Sequence, residues 1–215
     1  MNNASEFLTT ISIEALPIIF AIIVHEVMHG VVALRLGDDT ALRAGRLTLN
    51  PLSHIDPFGT IILPVALMFM HLPVFGYAKP VPVSFGRLRN PRIGMMLVAA
   101  AGPLTNVVLA ILSSIGMHIV NGYVAGGWGP TIAVPLYLML RASVFINVVL
   151  VAFNLIPLLP LDGGRVVAGM LPLPAARAFA RLEPFGFLIL LILLYTDSVE
   201  RVINPIISAI ARVLL

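Results

Sequence analysis

The sequence predicts an all-α polytopic membrane protein of about five to six transmembrane helices, with a small membrane-embedded β-hairpin or sheet. Three observations predict it. Of 215 residues, 59% are hydrophobic and only 11% are charged. The mean hydropathy is +1.03, far from the balance of a water-soluble domain. Several apolar stretches reach or approach the roughly 20 residues needed to cross a hydrocarbon core of about 30 Å. They use up most of the chain, which therefore reads as a single transmembrane domain over residues 1–215, with a core over about 11–172 and C-terminal helices over about 175–215.

The first span runs from about Ile11 to Leu36, with Pro17 in its first turns and Gly37-Asp38-Asp39 closing it. The N-terminus lacks the basic n-region of a secretory signal, so this segment is expected to be retained. Arg46-Leu47-Thr48-Leu49 alternates at period 2 after Gly45, the pattern of a short strand reaching to Asn50. Phe58 to Tyr77 is apolar but interrupted by Pro64 and Pro73, and its length suits either a span or a half-membrane excursion. Ala78 to Arg92 has the spaced prolines of an extended edge strand. Spans follow over about Ile93 to Val120 and Thr131 to Ile156, joined by an uncharged loop in which Tyr123 and Trp128 are interface anchors. Leu182 to Tyr195 reads as another span and Val199 to Leu215 as a last short or interfacial helix.

Basic residues decide the topology. If Phe58 to Tyr77 does not cross, then Arg35, Arg43, Arg46, Lys79, Arg87, Arg89 and Arg92 share one side with Arg165, Arg177 and Arg181. If it crosses, Arg43 and Arg46 are separated from the Lys79 to Arg92 group, against the positive-inside tendency. A re-entrant element is expected, and irregular backbone at membrane depth suits a protein-lined cavity. The formal charge of +3 is spread over short connections with no continuous basic run, so nucleic acid is not an expected partner.

Cysteine is absent, so disulfides and thiolate metal sites are excluded and any metal must be held by His, Asp or Glu. The first span carries the run HEVMH. On a helix His25 and His29 project from one face a turn apart, close enough to share one ion, while Glu26 points to the adjacent sector. That is the geometry of a two-His zinc site with a neighbouring general base. Placing these groups in mid-membrane is costly unless they face a polar cavity, which makes the cluster functional by default. For a third ligand the chain offers Asp162 in PLDGGR, with Glu183 as the nearest competitor. Gly163 and Gly164 would let the backbone turn tightly after Asp162, and Pro157 and Pro160 would open the helix before it. His54, in NPLSHIDP, is placed where it could reach the metal as an auxiliary ligand or gate, the alternative being a turn-stabilising role.

HEVMH in a first span, AAAGPLTN opening a later one and FNLIPLLPLDGGR beyond it together resemble the site-2 protease family of intramembrane zinc metalloproteases, in a minimal form without a PDZ or CBS domain. The resemblance covers about Val24 to Arg165 and implies one zinc ion held by His25, His29 and Asp162, with Glu26 as catalytic base. It further implies that Asn154 contacts the substrate backbone near the scissile bond and that Asn106 supports the same site. The activity implied is hydrolysis of peptide bonds in or near transmembrane segments of membrane proteins, in a multi-pass protein of a bacterial or archaeal cell membrane. The substrate is then another transmembrane protein, unwound onto an edge formed by strands such as Arg46 to Asn50 and Val81 to Phe85. The alternative is a catalytically silent relative that binds membrane proteins without cutting them. The substrate's identity and the oligomeric state are left open.

Overall fold

The computed structural model describes residues 2–72, 76–125 and 129–215. The expected anchor Trp128 lies outside them, whereas Tyr123 is described and exposed. Helix α1 spans Asn2–Arg35, α2 Thr40–Arg43, α3 Leu63–Phe69, α4 Pro91–Ala125 and α5 Pro130–Asn154. They are followed by α6 Asp162–Met170, α7 Leu173–Ala180, α8 Glu183–Tyr195 and α9 Ser198–Leu214. Helix α4 is the hub, packing on α1, α5 and α6, and α5 in turn contacts α1 and α9. The buried side chains at these crossings are largely small: Ala21, Ala33, Ala99, Ala101, Ala110 and Ala152. Small residues let helix backbones approach closely, the main source of association where lipid is as apolar as the protein. Large apolar side chains such as Phe20, Leu104, Leu112 and Ile132 point outwards instead, as a lipid-facing surface requires.

Two parts of the expected architecture are overturned. Three helical stretches are long and apolar enough to cross a membrane, Ile11–Arg35, Pro91–Tyr123 and Thr131–Asn154, in place of five to six. Helices α7 and α8 bend by 64° at their junction and together make at most one further, broken span. Pro172 and Pro184 lie at the starts of these two helices, which run for only 8 and 13 residues. Helix α9 is 17 residues long and carries Glu200, Arg201 and Arg212, so it is amphipathic rather than spanning.

The second correction concerns the β-hairpin: among the described residues there is no strand, at Arg46 to Asn50, at Val81 to Phe85 or elsewhere. The segment from Tyr77 to Ser84 has neither helix nor ladder, and its polar groups are met one at a time. The Lys79 amide donates to the His54 carbonyl at 2.9 Å and its own carbonyl accepts from the Arg46 guanidinium at 2.8 Å. The Val81 amide donates to Glu26 and the Ser84 amide to Asp38. Pro80 and Pro82 remove two donors from a run this short, so side-chain acceptors substitute for a neighbouring strand.

Between these segments the chain makes a closed excursion. A π-helical turn over Pro57–Ile62 leads directly into α3, and the Tyr77 amide comes back to donate to the Gly59 carbonyl at 3.0 Å. An excursion whose ends are bonded to each other cannot carry the chain to the opposite face, so Arg46 and Lys79 stay at one end of the bundle. The end of α1 is fixed by Gly37 at φ 108°, with the Asp38 amide donating to Ala33 at 2.9 Å and the Gly37 amide to Leu34 at 3.1 Å. This is a Schellman stop, which glycine alone forms without strain. It delivers Asp38 to the Ser84 amide.

Candidate metal centre

Helix α1 presents His25 and His29 on the face that meets α4, and their rings sit edge to face with centroids 4.7 Å apart. Their closeness to α4 depends on Gly102. A Cβ there would lie 2.5 Å from Cε1 and Nε2 of His25 and 2.6 Å from Cε1 of His29. Asp162 arrives from the first turn of α6, where the positive end of the helix dipole favours a carboxylate. Its Oδ2 lies 3.2 Å from His25 Nε2 and 3.4 Å from His29 Nε2.

Gly163 and Gly164 have a different role from the tight turn expected of them. Both lie inside α6, neither has positive φ, and their missing side chains let α6 rest directly on the backbone at Leu155 and Leu158. The close approach of α6 to the preceding turn brings Asp162 over the histidines.

Which protons these groups carry follows from their other contacts. His29 Nδ1 lies 2.7 Å from the Val98 carbonyl, which can only accept, so Nδ1 carries a hydrogen and, in the neutral ring, Nε2 the lone pair. His25 Nδ1 lies 2.5 Å from the Asn106 Oδ1, with the same consequence. In the neutral rings two imidazole lone pairs and the buried Oδ2 of Asp162 therefore converge on one point. Three such atoms stay together only with positive charge between them, either protons on the rings that pair with the carboxylate or one metal ion that all three hold. Their ligand atoms lie within 4.8 Å of one another, and two nitrogens with one carboxylate oxygen is a donor set that suits zinc with a fourth position left open. The residues fit the metal.

Glu26 and Asn154 line the same cleft as the three ligands, a space of about 730 Å³ bounded also by Val81, Val83, Phe85, Val98 and Arg165. Glu26 Oε2 accepts from the Val81 amide at 2.9 Å, and the Asn154 amide donates back to the Leu150 carbonyl at 3.0 Å. Asn106 is behind the site, fully buried, touching His25. Glu183 is spoken for elsewhere, paired with Arg165 at 3.1 Å. His54 is not brought to the cluster: it is 3% exposed, its Nε2 donates to the Thr48 carbonyl at 2.9 Å, and it tethers the extended segment through its own carbonyl. Two residues that no motif reading singled out belong to the site's support. Gly102 was hidden inside a small-residue run, and Asn147, 1% exposed and bonded to Asn106 at 2.7 Å, stands in an apolar helix where its polarity was the available signal.

The chain is 38% identical over 195 residues, 89% of its length and 84% of the relative's, to "Putative zinc metalloprotease YwhC" of Bacillus subtilis. It is 31% identical over 184 residues to "Putative zinc metalloprotease Rip2" of Mycolicibacterium smegmatis and 29% identical over 183 residues to the Rip2 of Mycobacterium tuberculosis. It spans 66% and 64% of those two relatives. No family model and no solved structure matches it. The extended likeness to YwhC, joined to a two-histidine, one-carboxylate centre among membrane-length apolar helices, establishes that the chain belongs to the site-2 protease family of zinc metalloproteases.

Proposed function

We propose that this protein is an intramembrane endopeptidase that hydrolyses peptide bonds in or near transmembrane segments of another membrane protein, in a bacterial cell membrane that it crosses several times. The observation that carries the reading is the convergence of His25, His29 and Asp162 on a cleft that Glu26 and Asn154 also line. His25, His29 and Asp162 hold the ion. Zinc, when bound, supplies a Lewis acid that polarises a carbonyl and lowers the pKa of water to about 7. Glu26 acts as general base: with Oε2 held by the Val81 amide, its other carboxylate oxygen takes the proton from the attacking water and later gives it to the leaving amine. Asn154, on the cleft wall at the end of α5, holds the substrate backbone beside the scissile bond. Helical peptide bonds are shielded by their own hydrogen bonds, so substrate must unwind before entering, and a cleft lined by Val81 and Val83 receives an apolar extended chain.

The test is Glu26→Gln in proteoliposomes holding a membrane-protein substrate. Cleavage should fall by about 100-fold or more while zinc stays stoichiometric, since a positioned general base contributes roughly 10²–10⁴-fold. Cleavage at the native rate in that variant would remove the mechanism, and a zinc-free, chelator-insensitive native protein would point to the silent relative.

A further inference from the structure

We infer that Asn147 is a positioning residue for the metal centre: acting through Asn106, it fixes which ring nitrogen of His25 faces the ion. A one-directional chain of buried hydrogen bonds leads from His25 to α5. His25 Nδ1 is 2.5 Å from Asn106 Oδ1, Asn106 Nδ2 is 2.7 Å from Asn147 Oδ1, and Asn147 Nδ2 is 2.8 Å from the Ser143 carbonyl of α5. The last member can only accept, so Asn147 must turn its NH2 towards Ser143 and its oxygen towards Asn106. Asn106 must then turn its own NH2 towards Asn147, which leaves its oxygen facing His25. His25 Nδ1 is thereby obliged to donate, and in the neutral ring that ligates a metal the lone pair falls on Nε2, the nitrogen aimed at Asp162.

His29 reaches the same state through a single bond to the Val98 carbonyl. His25 Nδ1 meets an amide oxygen instead, and the NH2 of that amide reaches backbone carbonyls by two routes, a long 3.5 Å bond to Ala21 and the 2.7 Å bond to Asn147 that leads to Ser143. Without Asn147, the Asn106 amide keeps only the long 3.5 Å bond to the Ala21 carbonyl in place of a 2.7 Å one and can rotate to offer NH2 to Nδ1. His25 would then carry its hydrogen on Nε2, where it cannot ligate. Asn106 and Asn147 are 0% and 1% exposed, and burying two amides among apolar helices is costly unless every group is met. A neighbouring bond between the hydroxyls of Ser113 and Ser143 at 2.8 Å already joins α4 to α5, so adhesion alone does not call for the pair.

The inference rests on His25 being a zinc ligand, and zinc stoichiometry of the native chain tests that premise separately. The experiment is a double-mutant cycle on the full-length protein in detergent: Asn106→Ala, Asn147→Ala and both together, with zinc affinity read by chelator competition and geometry by the visible absorption of bound cobalt. Each single variant should weaken zinc by about 10-fold to 100-fold, the usual loss when a ligand's outer partner is removed. The pair should be no weaker than Asn106→Ala alone, because Asn147 acts only through it. Additive losses, or an Asn147→Ala protein with native affinity and cobalt spectrum, would overturn the inference. The native chain offers a measurement that no folding defect can confound: nitrogen chemical shifts should show His25 protonated at Nδ1, and protonation at Nε2 would sink the idea.

Discussion

Gly102 sets how near α4 can come to the two imidazoles, and its effect on metal binding can be separated from its effect on the helix. In the middle of α4 an alanine is intrinsically better than glycine by roughly 1 kcal/mol, so Gly102→Ala has no local reason to weaken α4. Its methyl would nonetheless stand 2.5 Å from Nε2 of His25, the atom that faces Asp162. The rings cannot retreat freely, because both Nδ1 atoms are tied to neighbours at 2.5 and 2.7 Å. The expected outcome is unchanged helical content by circular dichroism with zinc affinity reduced about 10-fold or more, the scale of loss seen when ligand orientation is disturbed. Full zinc content at native affinity would show that the contact is not limiting.

The extended segment before α4 lines the cleft, and two carboxylates hold it, Glu26 at Val81 and Asp38 at Ser84. At the Ser84 end Asp38 accepts from the Ser84 amide at 2.6 Å, from the Thr40 amide at 3.1 Å and from the Thr40 hydroxyl. Burial pushes the Asp38 carboxyl up, but those hydrogen bonds, with the Arg87 charge, outweigh it and hold the group below its ordinary range. A carboxylate whose folded pKa is depressed contributes stability that is present above its unfolded pKa, about 3.9, and is lost as pH falls through the folded value. Protection of the Ser84 amide against hydrogen exchange should therefore hold at pH 5 and weaken progressively below about 4. Asp38→Asn should show the weakened state at both, by roughly 10-fold, since a hydrogen bond to a charged group contributes about 1.5–3 kcal/mol. Equal protection in the two proteins would show that Asp38 does not hold the segment. The sequence made the first span, its Gly37 stop and the histidine spacing legible, because helix periodicity and a left-handed stop are local. It read Arg46 and Arg92 as topology signals and did not reveal what they bond to. Arg46 is buried on the Lys79 carbonyl, and Arg92 donates to the carbonyls of Gly169, Met170 and Leu171 at the end of α6. A charge's tertiary partner is not written in its neighbours, and neither was the replacement of an expected β-ladder by Glu26 and Asp38.

At the scale of the molecule, the metal centre draws together elements that sequence separates widely. His25 and His29 come from α1, Asp162 from α6, and their outer partners Val98 and Asn106 from α4. Without the ion, the carboxylate of Asp162 is joined to α1 only through protons on the two imidazoles, whose Nε2 atoms lie 3.2 and 3.4 Å away. With zinc, the same atoms become the bond between them. Ligand binding to the folded state alone stabilises it by RT ln(1 + [L]/Kd), about 2.7 kcal/mol when free zinc is 100-fold above Kd. Chelation should accordingly lower the thermal midpoint of the detergent-solubilised protein by several degrees, and added zinc should restore it. Glu26→Gln, which leaves every ligand in place, should show the same shift. Asp162→Asn, which replaces the anionic ligand with a neutral amide, should melt at one temperature with or without chelator. An identical midpoint for native protein before and after chelation would mean that α1 and α6 are held together without the metal, and that the convergence of His25, His29 and Asp162 contributes nothing to the fold.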